Sequence, residues 1–139
     1  MATERSDLAA MLGPLVRDLI AIELPILAAH EVSMWGYVVL NALADTPVRT
    51  QAALAEAIGA DKSRIIGTLD ELQQAGLIER TPDPDDRRVR LLSITAQGRA
   101  THRAVRKDIQ AAELQVLDGL PVADRKTFLR LLQQLHASR

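Results

Sequence analysis

Residues Leu77 to Ile94 stand apart from a chain that otherwise repeats its apolar side chains at helical spacing. Two short runs, Leu77 to Thr81 and Val89 to Ile94, read as strands, and Pro82-Asp83-Pro84-Asp85-Asp86 between them is dense in turn residues. One hairpin set among helices, in a chain of 139 residues without internal repeats or low-complexity linkers, predicts a mainly α fold with a small β-hairpin.

The helical pattern divides at recognisable signals. From Ser6 to about Ala29 the apolar residues Leu8, Met11, Leu12, Leu15, Leu19, Ile22 and Ile26 make one stripe. Gly13-Pro14 and Pro25 fall inside it and predict kinks or restarts, because proline removes a hydrogen bond and clashes with the preceding turn. Ser33 is placed to cap a second helix carrying Trp35, Val38, Val39, Leu40 and Leu43, which Asp45-Thr46-Pro47 ends. Thr50 caps a third, Gln51 to Ile58, with Gly59 as its left-handed stop. A fourth opens at Ala60 or Asp61 and reaches Gln74. After the hairpin, Thr95 caps a helix from about Ala96 to Leu117, and a last helix carries Phe128, Leu131, Leu132 and Leu135 beyond Gly119-Leu120-Pro121.

Function is legible in the stretch from Gln51 to Thr68. Leu54 and Ile58 form an apolar stripe, Ala55 is small enough for a second helix to cross closely, and Gly59 supplies the tight turn. Ile65, Ile66 and Leu69 then read as the inward face of the next helix, leaving Lys62, Ser63, Arg64 and Thr68 outward. This is a helix-turn-helix arrangement, although an ordinary packed helix pair fits the same residues. The hairpin favours the first reading. Its tip bears Arg87, Arg88 and Arg90, so it reads as a wing whose arginines meet DNA backbone or the narrow minor groove, with Asp86 pairing Arg88. A solvated charged turn explains the acids but not the three arginines. Lys62, Ser63, Arg64 and Thr68 are placed to reach base edges or phosphates in a major groove, and Thr50 and Gln51 join them as candidate DNA contacts.

The segment Gln51 to Gly98, with Asp86-x-Arg88 followed by Ile94-Thr95, "AGLIER" at Ala75 to Arg80 and "TAQG" at Thr95 to Gly98, resembles the winged-helix core of the MarR-type (multiple antibiotic resistance) regulators. The resemblance implies a winged helix-turn-helix protein that regulates transcription as a homodimer on double-stranded DNA. It also implies dimerisation helices at residues 1–30 and 99–139 around a DNA-binding lobe at 31–98, all in one compact chain. The apolar residues Leu114, Leu117, Phe128, Leu131 and Leu135, with the Leu8 to Leu19 stripe, support a dimer independently, being more than a small lobe covers. Family members commonly release DNA on binding a small phenolic or anionic effector. The matching region here offers Arg17, His30, Trp35 and Tyr37, of which Trp35 reads more readily as core than as a ligand contact. Gly67 departs from the pattern, standing where many members carry arginine or another long polar residue.

Composition sets limits on other classes. The net charge of −1 requires any DNA-binding face to be a local basic patch. No cysteine is present, which removes disulfides and thiol-based sensing. Trp35, Tyr37 and Phe128 are the three aromatic residues, so the core is aliphatic. No run approaches a membrane span, and Glu4 and Asp7 are unlike a signal peptide, which predicts a cytoplasmic protein without membrane contact. The three histidines lack metal-ligand spacing, and His102 and His136 read as lying on charged helical faces. No cofactor motif or nucleophile elbow appears, so no enzyme activity is expected. A small enzyme using His30 or His102 lacks a carboxylate partner and a cleft. The remaining alternative is a winged-helix module that contacts proteins instead of DNA.

Overall fold

A computed structural model describes residues 4–46 and 48–139. The elements run α1 (Leu8–Ala29), α2 (Met34–Asp45), β1 (Val48–Thr50), α3 (Gln51–Ile58), α4 (Lys62–Gln74), β2 (Ile78–Pro82), β3 (Arg90–Ile94), α5 (Ala96–Leu117) and α6 (Val122–Ala137). Local chemistry sets these limits. Ser33 accepts the Gly36 N–H at 2.9 Å to open α2, and Thr50 accepts the Ala53 N–H at 3.0 Å to open α3. Asp61 opens α4 by accepting from the Arg64 N–H at 2.8 Å. Thr46 closes α2, while Pro47, named with it as a stop, lies outside the described residues. Gly59 ends α3 in the left-handed conformation at φ 66°.

The expected restart is corrected: neither Gly13-Pro14 nor Pro25 breaks the first helix, which runs on over its 22 residues. Each proline removes only its own bond to the carbonyl four residues back, at Ala10 and Ala21, and both of those residues are exposed. The β2–β3 hairpin forms as expected, and a third strand joins it. β1 pairs antiparallel with β3 (Val48↔Ser93, Thr50↔Leu91), giving a three-stranded sheet in the order β1-β3-β2. A strand of three residues wedged before a helix cap is too short to show alternation. β2 is an edge strand, which is where Pro82 is tolerated.

The chain packs as two compact units. The second, Leu24–Asp108, holds an aliphatic core in which Leu27, Leu40, Leu43, Leu54, Leu69 and Leu92 are fully buried. α2 and α4 approach closely at Gly36, where a Cβ would stand 3.3 Å from Leu72 Cδ2. His102, expected on a charged face, is instead buried: its ring stacks on Tyr37 with centroids 5.7 Å apart, and its Nε2 bonds Asn41 Oδ1. Gly98, His102, Val105 and Ile109 are the buried positions of α5, a four-three-four spacing that makes one helical face.

Thr95 and Gly98 join the sheet to α5. The Thr95 hydroxyl donates to the Gly76 carbonyl at 2.7 Å and accepts the Gly98 N–H at 2.9 Å, while the Thr95 N–H donates to Leu77 O at 3.0 Å. A Cβ on Gly98 would lie 2.1 Å from that same Leu77 oxygen, so only glycine fits.

The other unit joins the N-terminal part of the chain, up to Glu23, with Ile109–Arg139. Its helices are amphipathic but nearly coreless. Among its described residues only Ile109 is buried, whereas Leu8, Val16, Leu114, Phe128, Leu131 and Leu135 are exposed. Among the described residues no helix is long and apolar enough to cross a membrane.

Two measurements check this packing. Gly98→Ala should lower unfolding free energy by about 2 kcal/mol through overpacking against Leu77, and an unchanged denaturation midpoint would remove the contact from the account. Burial, with the positive charge of Arg106 adding to it, holds the His102 imidazole below its ordinary 6.5. As pH falls below 6.5 the unfolded chain takes up a proton that the folded chain resists, so His102 makes stability fall with acidification. Glu23 and Glu113 act oppositely in their own window above 4.5, since burial raises both and Glu113 raises Glu23 further. Denaturant midpoints of wild type and His102→Phe, compared between about pH 7.5 and pH 5.5, should show a shallower acid loss in the variant.

Candidate nucleic-acid interface

The N-termini of α3 and α4 and the tip end of the β2–β3 hairpin open on one cleft of about 430 Å³. Thr50, Gln51, Lys62, Arg88 and Arg90 line it, above a floor that includes Ile65. Two helix N-termini bring unpaired N–H groups and the positive ends of their dipoles to this place. With three cations added, the face suits phosphate despite the overall charge of −1.

The hairpin tip is built by its acids. The Asp83 carboxylate accepts the Asp85 N–H at 2.9 Å, and the Asp83 N–H donates to Val89 O at 2.8 Å. Asp86 accepts from the Arg88 N–H and Nε, both at 3.1 Å, and from Nη2 at 3.2 Å. Those bonds hold the Asp86 carboxyl below its ordinary range, with the Arg88 side chain the larger cause. Arg88 nonetheless stays 91% exposed, with three of a guanidinium's five N–H donors uncommitted. The pair therefore fixes where Arg88 points without consuming it. Arg87 is exposed at the same tip.

The α4 candidates divide between two flanks. Lys62 faces the cleft. Ser63 is exposed, and its hydroxyl donates to Asp61 at 3.0 Å. That bond and, more strongly, the Arg64 N–H depress the Asp61 carboxyl. Arg64 lies over the Trp35 indole, 5.6 Å from its centroid, and Thr68 is half-buried with its hydroxyl 3.4 Å from Arg64 O. Arg64 and Thr68 thus sit on the flank toward α2, away from the wing. Ile66, expected to pack inward, is 46% exposed instead, because Ile65, Leu69 and Leu72 already fill the buried face.

One contributor was not singled out from the sequence. Arg80, on β2, bonds Asp70, and its Nε donates to Gln73 Oε1 at 2.6 Å. It ties β2 to α4 and neutralises an acid on that helix's exposed side. Its signal was present in "AGLIER", one residue after an exposed Glu79.

The four effector candidates divide between the two units. Arg17 lies in the first unit and is exposed. In the second, His30 Nε2 meets Asp108 Oδ2 at 2.7 Å, Trp35 is half-buried beneath Arg64, and Tyr37 is buried against His102. Among the described residues no group of three histidine or acidic side chains is placed to hold a metal ion.

Gly67 meets open space, since a Cβ there would find nothing within 4 Å. Gly67→Ala should therefore raise the stability of the free protein by about 0.5–1 kcal/mol through helix propensity alone, read as a higher denaturation midpoint. A loss would mean that the glycine is needed by the fold.

The profile of the MarR family matches residues 36–89. The chain is similar to a protein of Thauera aromatica named as a transcriptional regulatory protein for the hcr operon, at 31% identity over 72% of this chain and 60% of that protein's length. Among solved structures it is similar to the PcaV transcriptional regulator of Streptomyces coelicolor, solved with its natural ligand. That likeness has 28% identity and a TM-score of 0.68, over 97% of this chain and 98% of that one. Ligand-free MarR from Escherichia coli matches at a TM-score of 0.85 with 20% identity, over 96% and 98% of the two chains, a likeness of fold.

Proposed function

Because this chain belongs to the MarR family, we propose that it is a homodimeric, sequence-specific DNA-binding regulator of transcription. The observation that carries the reading is the convergence of Lys62, Arg88 and Arg90 with two helix N-termini on one cleft. In this reading the N-terminal half of α4 enters a major groove, while Arg88, oriented by Asp86, and Arg87 and Arg90 contact the backbone or adjoining minor groove. Thr50 and Gln51 bind phosphate at the start of α3. Ser63 reaches DNA beside Lys62, and Arg64 and Thr68 serve the opposite flank.

The exposed apolar faces of the first unit support the dimer. A helical unit with one buried residue lacks the burial that offsets chain entropy, and a second copy supplies it. Two-fold symmetry then implies a pseudo-palindromic operator with half-sites about one helical turn apart. We further propose repression relieved by a small phenolic or anionic effector, in line with the ligand-bound PcaV relative. Arg17, His30, Trp35 and Tyr37 are the residues to vary for that function.

Titration of the protein on its own upstream DNA, at fixed salt, should show specific binding that weakens steeply as salt rises. Arg88→Ala should weaken operator binding more than tenfold while sedimentation still reports a dimer. Affinity no better than for scrambled DNA would sink the regulator reading and leave a winged-helix protein-contact module. A panel of phenolic acids added to the same titration should include one that releases the operator.

A further inference from the structure

Ile66 is an anomaly of the second unit's surface. Among the described residues that unit exposes two large apolar side chains, Leu24, which continues the four-residue spacing of the exposed Leu8, Leu12, Val16 and Ile20 along α1, and Ile66. Helix stability gives no reason for it, since isoleucine is a poorer helix former than the glutamine or lysine that solvent would accept there. Its surroundings are specific. Lys62, one turn earlier, lines the cationic cleft, and Asp70, one turn later, is neutralised by Arg80. Residues four apart share one helix ridge, so the ridge reads cation, apolar group, neutralised acid. Gly67 beside it projects no side chain, and a Cβ there would find open space within 4 Å, so that position puts nothing in the way of a partner at Ile66.

A face flanked by Lys62, Arg88 and Arg90 selects a polyanion, and the apolar group that a DNA major groove presents is the thymine C5-methyl. We propose that Ile66 is a specificity-determining residue that packs against a thymine methyl in each operator half-site, an inference that rests on the operator-binding reading above. The missing side chain at Gly67 lets the ridge approach the base edges closely enough for this contact. Sequence reading then depends on an apolar contact at the centre of α4, with the cations setting register.

The test uses the full-length dimer and an operator selected by it from random-sequence DNA. Each thymine is replaced in turn by deoxyuridine, which lacks only the methyl group, and affinities are measured at one salt concentration. Wild type should lose about three- to fivefold at one or two positions per half-site, the ratio expected for one buried methyl. Ile66→Ala should bind the thymine and deoxyuridine versions of those positions equally, with an unchanged denaturation midpoint because the side chain is exposed. A flat deoxyuridine scan on an operator that wild type binds specifically would overturn this inference alone. So would an equal loss in Ile66→Ala. Failure to select any operator would remove both this inference and the reading it rests on.

Discussion

The approach of Gly98 to the Leu77 carbonyl is the contact on which the second unit's geometry depends. Through Thr95 and Gly98, four things meet at one point: the end of α4 at Gly76, the start of β2, the end of β3 and the start of α5. Each bond is individually modest, about 1 kcal/mol. Their joint effect is geometric, because they fix α4, the hairpin and α5 against one another. Arg80 adds a second tie between α4 and β2 on the exposed side. With both ends of the wing held, the cations of the cleft keep their spacing.

Charge in this protein is managed locally. Asp61, Asp70 and Asp86 all lie near the candidate interface, which looks unfavourable for phosphate. Each is committed: Asp61 to the α4 cap and Ser63, Asp70 to Arg80, and Asp86 to Arg88. Asp70 and Asp86 are each paired with an arginine, so each pair is neutral as a unit, while Asp61 keeps its charge at the α4 cap; Asp61 and Asp86 also orient Ser63 and Arg88. A net charge near zero is therefore compatible with a basic face.

Elements governed by local rules were legible in the sequence, and those governed by tertiary context were not. Ser33, Thr50 and Asp61 were recognisable as caps because a side chain and a backbone N–H two or three residues on decide the matter. The pairing of Asp86 with Arg88 was legible for the same reason. β1 was missed because its pairing with β3 spans more than forty residues and leaves no alternation to read. Ile66 was misplaced because the pattern Ile65-Ile66 does not say which neighbour the core takes. His102 was misread because three arginines at Arg99, Arg103 and Arg106 surround it in sequence, although its spacing to Val105 and Ile109 marked the buried face. Arg64 and Trp35 were identified separately, but their stacking brings together helices whose crossing the sequence does not specify.

That last pair has a practical side. Trp35 is the single tryptophan of the chain, and the guanidinium above it belongs to α4. An indole's emission responds to a charge moving over its ring. The protein thus carries a native fluorophore whose signal follows Arg64, with Tyr37 lying two residues along α2 against the buried His102. Movements of α4 become visible in unlabelled protein, without altering a residue.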